Sequence, residues 1–336
     1  MNNALKKRIR QISTSIEYSN EVEKSPLVSV LVMTYNQEDT IAQCLDSIIA
    51  QKTNFDFEIL VGEDKSQDKT LEICIDFAKK HPTKIRLFAH TGDDKIHING
   101  RATGRFNLYT NLLNARGTFI AMCEGDDHWN GVEKLQKQVD AFQSDTSIGL
   151  CFHAVYINYF GKISTDEDDF TTRAFNRITD KSNITYKTFL EFGNFIHTPS
   201  VMYKKNGLIE TLSQLDTMPG ALDFLLHIIA TKQMRAHKIE GRHATYRSGT
   251  GTWSSLPKWE KVKKWKVVLQ SILGLDFLEP TEREKLSSRI DSIDADVHRL
   301  MQNWSRKDQI KYHLKRVILS RPVMKKAFLT YRKFRH

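Results

Sequence analysis

Apolar residues in this chain fall into two alternating patterns. Leu27–Met33, Phe57–Val61, Ile85–Ala89 and Phe119–Cys123 are near-continuous apolar runs of strand length. Between them the apolar positions recur at helical spacing. Ile41, Leu45, Ile48 and Ile49 share one face after a start at Asp39 or Thr40, and Leu71, Cys74, Ile75 and Ala78 share another. Strands that are apolar throughout belong in a sheet covered on both faces, and β-α-β-α-β order makes that sheet parallel. The pattern predicts an α/β fold with its ligand at the carboxyl ends of the strands.

Polar clusters stand at those ends. Thr34-Tyr35-Asn36 follows the first run, Glu63-Asp64 the second, and Glu124-Gly125-Asp126-Asp127-His128-Trp129 the last. Three carboxylates at the end of a buried strand repel one another and resist desolvation. A hard divalent cation, Mn²⁺ or Mg²⁺, relieves both costs by accepting carboxylate oxygen. A solvated acidic turn is the competing reading of this run taken alone.

In order along the chain, Val-Ser-Val-Leu-Val-Met-Thr-Tyr-Asn from Val28, Glu-Asp-Lys-Ser-Gln-Asp-Lys-Thr from Glu63 and Glu-Gly-Asp-Asp-His-Trp from Glu124 resemble the family 2 glycosyltransferases, which have the GT-A fold. Lys134-Leu135-Gln136-Lys137-Gln138, Tyr246-Arg247 and Gly251-Thr252-Trp253-Ser254 extend the resemblance over about residues 26–255. It implies an inverting enzyme that moves a sugar from a UDP-, GDP- or dTDP-linked donor to a saccharide or lipid-linked acceptor. Thr34, Tyr35 and Glu38 would cup the nucleotide, and Asp64 would hold its base. Asp126 would ligate the metal. Glu124, Asp127 and Arg247 would meet the sugar and diphosphate. Asp223 would be the catalytic base, with Asp216 a weaker rival, and His197 and Trp253 would border the acceptor.

Two positions depart from the family pattern. Glu63 and Glu124 stand where Asp is usual. The Gln-X-X-Arg-Trp motif of processive family members is not found, which favours single addition. Each assignment has a structural competitor. Asp64 could cap a helix, Asp223 could sit early in one, Arg247 could pair with an acid, Trp253 could plug the core, and a turn could explain His197-Thr198-Pro199-Ser200 before a strand at Ser200–Tyr203. A nucleotidyltransferase on a similar sheet would carry a Gly-rich basic phosphate loop, unlike Thr34–Glu38. A non-catalytic adaptor would not need Asp64, Asp126 and Asp223 together.

Composition changes the picture mainly at the C-terminus. Residues 304–336 hold eleven Lys or Arg and one acid, so they carry the whole net charge of +10. Ile310, Leu314, Val317 and Ile318 form one apolar face there, and Val323, Met324, Ala327, Phe328 and Tyr331 another. Basic amphipathic helices suit an anionic membrane surface; packing on the catalytic domain is the alternative. No recognised nucleic-acid motif accompanies the charge.

The expected organisation is a polar, part-helical leader at 1–25, a catalytic domain at 26–255 and a helical basic extension at 256–336. Residues 160–183 read as a long loop. Four cysteines without CxxC spacing read as reduced core thiols. With neither an apolar signal core nor a spanning run, the expected location is cytoplasmic, peripheral on the inner face of the membrane.

Overall fold

The computed structural model describes residues 15–90, 96–98, 101–103, 105–165, 167, 169–212, 222–249, 256–306, 308–310 and 314. Their centre is a ten-stranded sheet. Strands β1 (Ser15–Glu17), β2 (Val28–Thr34), β3 (Phe57–Glu63) and β4 (Ile85–His90) come first. A separate two-stranded ribbon, β5 (Ile96–Ile98) and β6 (Arg101–Thr103), follows. The sheet resumes with β7 (Phe119–Met122), β8 (His128–Trp129), β9 (Ile148–Tyr159), β10 (Lys162–Thr165), β11 (Met202–Lys204) and β12 (Arg235–Ser248). The strand order is β1-β4-β3-β2-β7-β11-β9-β12-β8, with β10 beside β9.

The parallel part is β4-β3-β2-β7. Val30, Val32, Ile59 and Val61 are fully buried in one core with Ile41, Cys44, Leu45 and Ile48 of the helix Ile41–Ile49. The opposite face is met by polar side chains of the helix Arg105–Asn114, which donate to strand carbonyls. Asn111 donates from Nδ2 to Val32 O and Leu60 O, and Asn107 donates to Gly62 O at 2.6 Å. Gly62 is required by this approach, since a Cβ there would lie 1.6 Å from Asn107 Oδ1. Further down that face, Glu58 is fully buried but accepts from Ser29 Oγ, Arg116 N and Arg86 Nη1, so its charge is paired.

Two local expectations are corrected. Residues 15–17, inside the segment read as a leader, pair antiparallel with β4. Residues 160–183 are not a plain loop, because they contain β10 and the helix Phe170–Asn176, capped by Asp169. The turn expected at His197-Thr198-Pro199-Ser200 is a 3₁₀ turn over Thr198–Ser200, and the strand after it runs Met202–Lys204. All four cysteines are buried free thiols, as expected.

The chain divides into two compact units. The first is drawn from Met1–Ile157, Ser164–Ser213 and Leu226–Tyr246. The second is drawn from Asn158–Ile163, Gln214–Leu225 and Arg247–His336, and holds the helices Lys258–Leu273 and Pro280–Gln302. In it, Val268, Leu269 and Ile272 of one helix and Leu286, Ile290 and Ile293 of the other are buried. Among the described residues no helix is long and apolar enough to cross a membrane.

Candidate active site

The carboxyl ends of β2, β3 and β7 lie side by side, and their loops are tied together. Asp64 N donates to Thr34 O at 3.1 Å and Gly125 N to Met33 O at 3.0 Å. The loops after β2 and β3 interlock through five further hydrogen bonds. Asn36 N donates to Ser66 Oγ, Gln67 N to Asn36 Oδ1, Gln37 N to Thr70 Oγ1, Glu38 N to Asp68 Oδ2, and Lys69 N to Glu38 Oε2. Asn36 (φ 51°) and Lys65 (φ 57°) take left-handed backbone to make these turns. Glu38, expected at the nucleotide, therefore also holds the neighbouring loop. Tyr35 is exposed and Asp64 is buried.

Glu63, the departure from Asp, is fully buried. One of its oxygens accepts Ser66 N–H at 2.7 Å, and burial raises its pKa. The longer side chain thus braces the loop that carries Asp64 from beneath.

The acidic motif turns directly after β7. Asp127 N donates to Glu124 O, and Thr40 Oγ1 donates to Gly125 O at 2.9 Å. Thr40, at the helix start, makes no side-chain cap bond; its hydroxyl serves the acidic turn instead. Gly125 has no room for a side chain, since a Cβ would meet Gln37 Oε1 at 2.5 Å and Thr34 Oγ1 at 2.9 Å. The turn brings ligand atoms of Glu124, Asp126 and Asp127 within 4.8 Å of one another, the first two half-buried and the third buried. An all-oxygen carboxylate set of this density fits a hard divalent cation.

Trp129 fixes the far side of the motif. Its backbone N donates to Ser47 Oγ and its Nε1 to Pro199 O, both at 3.0 Å. Lys134 is fully buried under it, with Nζ 4.1 Å from the Trp129 ring centroid and donating to Gln138 Oε1 at 2.8 Å. Burial drives the lysine pKa from 10.5 to about 7. Between those values the unfolded chain holds a proton that the folded chain releases. Folded stability from this group therefore rises with pH across that window, and is lowest below it. The melting temperature of the parent relative to Lys134→Met is expected to be higher at pH 9 than at pH 7. A pH-independent difference would show that Lys134 keeps its charge.

His197, expected at the acceptor, immediately precedes the 3₁₀ turn, and its ring lies 4.6 Å from that of Tyr246. Its Nε2 is 3.0 Å from Asp169 Oδ2. Asp169 was not among the residues singled out from sequence; only its place two residues before Thr171, a capping spacing, announced it. Asp223 stands half-buried in the first turn of the helix Leu222–Ala230, and Arg247 near the end of β12, both in the second unit. Trp253 lies outside the described residues.

The model of glycosyl transferase family 2 matches residues 29–205, more than half the chain. The chain belongs to this family. An uncharacterised protein of Mycobacterium tuberculosis is 30% identical over 201 residues, 60% of this chain and 53% of that relative. The chain thus spans about half the length of that relative. Family 2 membership agrees with the solved structures. Staphylococcus aureus TarS 1–349 in complex with UDP-GlcNAc aligns with TM-score 0.53 at 19% identity, covering 84% of this chain and 74% of that one. The mannosyltransferase PcManGT of Pyrobaculum calidifontis, in complex with GDP-Man and Mn²⁺, aligns with TM-score 0.55 at 17% identity over 96% and 90% of the two chains. The shared architecture is the GT-A fold.

Proposed function

We propose that this family 2 member is an inverting, metal-dependent glycosyltransferase that adds one sugar from a nucleotide-sugar donor to a saccharide, free or lipid-linked. The observation that carries this reading is the placement of Asp64 and the Glu124–Asp126–Asp127 cluster at the carboxyl ends of β3 and β7, the two strands that flank β2 in the parallel part of the sheet. The nucleotide-sugar and Mn²⁺ complexes of the two structural relatives support it.

In this reading the loops at Thr34–Glu38 and Glu63–Thr70 form the nucleotide cradle. Asp64 accepts a hydrogen bond from an imide-type N–H, which uracil, thymine and guanine all offer. Asp126, with Glu124 and Asp127 beside it, would hold Mn²⁺ or Mg²⁺, which when bound offsets negative charge on the leaving diphosphate. Arg247 suits the same diphosphate by its forked donors. Asp223 takes the proton of the acceptor hydroxyl as that oxygen attacks the anomeric carbon, so the configuration inverts in one step. His197 borders the acceptor, and Trp253 is a further candidate there. Surface-polysaccharide assembly is the setting the family resemblance favours. A panel of UDP-, GDP- and dTDP-sugars, scored for metal-dependent binding and slow hydrolysis, tests the reading; no response to any donor overturns it.

The basic C-terminus supports a second element, docking of the enzyme on an anionic membrane surface. Within residues 304–336 the described positions Ile310 and Leu314, four apart, are 53% and 58% exposed. Two exposed apolar side chains four apart, in a segment whose sequence carries ten net positive charges, support an interfacial helix. Removing 304–336 is expected to abolish binding to vesicles containing phosphatidylserine while transfer to a soluble acceptor persists. Vesicle binding by the parent should weaken with added salt. Unfolding on truncation, or unchanged vesicle binding, would refute the docking role.

A further inference from the structure

His197 is held by more than its own turn. Asp169 Oδ2 accepts from Thr171 N at 3.2 Å and from Thr171 Oγ1 at 2.5 Å. His197 Nε2 lies 3.0 Å from the same carboxylate oxygen and 2.9 Å from Thr171 Oγ1. A carboxylate only accepts, and the threonine proton already points at Asp169. The proton in these two contacts must therefore sit on Nε2, shared between both oxygens. In the neutral ring this places the lone pair on Nδ1. Nδ1 takes no hydrogen bond from the described residues, and the side chain keeps 9% exposure.

The ring is also fixed relative to the acidic motif. Ser200 N and Oγ both donate to His197 O, and Trp129 Nε1 donates to Pro199 O. Trp129 is two residues beyond Asp127. Past the turn, Met202 pairs with Ala121 of β7, the strand that delivers Glu124. The ring also borders a narrow space lined by Thr171, Phe152, Phe175, Phe195 and Lys238. An aromatic surround with a neutral hydrogen-bond acceptor is the chemistry that meets a sugar's apolar edge and hydroxyls.

We propose that Asp169 and Thr171 are positioning residues that lock His197 in its Nε2–H form, so that Nδ1 accepts a hydrogen bond from a hydroxyl of the acceptor saccharide. This rests on the glycosyl-transfer reading and names a specificity contact within it. His197 orients the acceptor; Asp223 remains the base.

Asp169 is the anion of this arrangement. Burial acts to raise its pKa, but the hydrogen bonds from His197 and Thr171 outweigh this and hold it at about 2.

The test combines ¹⁵N NMR of the labelled full chain with kinetics, using whichever of UDP-GlcNAc or GDP-mannose is turned over and methyl glycosides as acceptors. At pH 7.5 the His197 ring is expected to be neutral with its proton on Nε2. Asp169→Asn should raise the KM of the methyl glycoside about tenfold and leave donor KM within about twofold. His197→Asn, whose amide oxygen can stand near Nδ1, should retain far more transfer than His197→Ala. An Nδ1–H or doubly protonated ring overturns the lock, as do donor and acceptor KM rising together in Asp169→Asn. A parent chain inactive with every donor overturns the transfer reading itself, whereas a wrong tautomer in an active parent overturns only this proposal.

Discussion

Asp126→Asn is expected to fold normally and to lose at least roughly a hundredfold in glycosyl transfer. Its side chain is half-buried at the turn after β7, in a cluster of three carboxylates spanning no more than 4.8 Å. Asparagine keeps the volume and removes one of three mutually repelling charges, so the melting temperature should hold or rise slightly. What is lost is the charge that a hard cation needs. The parent should be stabilised by Mn²⁺ together with a nucleotide diphosphate, through binding to the folded state alone. The variant should show little of that stabilisation. Near-normal transfer by Asp126→Asn in the presence of EDTA would sink the metal role.

Asp223→Asn should have an effect of similar size on turnover but leave donor binding nearly intact. Asp223 is the polar exception in its segment, half-buried where Leu222, Phe224, Leu225 and Leu226 are buried. Phe224 packs against Trp265 at a centroid distance of 4.7 Å, so the helix start is anchored without the carboxylate. Asparagine cannot take the acceptor proton, which predicts a collapse of kcat with donor Kd unchanged. The structural alternative is a carboxylate that only favours the helix N-terminus. In that case the change would cost roughly 0.3–1 kcal/mol of stability and spare kcat. Donor affinity that falls while saturated turnover survives would move the search for the base to Asp216, which lies outside the described residues.

The two variants separate the halves of the proposed chemistry. One should lose response to metal, and the other should keep it. Lys134→Met probes neither half directly. It tests whether the platform beneath Trp129 is neutral at working pH, through the stability difference between pH 7 and pH 9.

Much of the parallel half of this fold was legible in the sequence. Val28–Thr34, Phe57–Glu63 and Ile85–His90 are mostly apolar and buried on both pleat faces, a pattern that a doubly covered sheet accommodates. The carboxylates after those runs could be assigned to one edge because parallel strands end on the same side. Glu124, Asp126 and Asp127 come within 4.8 Å through one local turn after β7, and the register that pairs β2 with both β3 and β7 brings Asp64 to the same edge.

The antiparallel half was not legible. Met202–Lys204 is three residues long, and its place between β7 and β9 is decided by partners some 50 to 80 residues away in sequence. Segment 160–183 looked like a loop because β10 is exposed at every position, leaving no periodicity to read. Ser15–Glu17 is likewise polar and largely exposed, and becomes a strand only by extending the edge at β4.

The same division runs through the site. Local sequence set which side chains could do chemistry: Asp64, Glu124, Asp126, Asp127. Tertiary structure decided how they are held. The bonds that interlock Asn36, Gln37 and Glu38 with Ser66–Thr70 join residues about thirty apart. Thr40 reaches Gly125 across 85 residues rather than capping its own helix. Asp169 and His197 stand 28 apart, and nothing in the sequence paired that helix cap with that turn. Hydrophobic periodicity encodes burial, which is local and repeated. A single polar contact between distant segments leaves no period, and only the folded chain shows it.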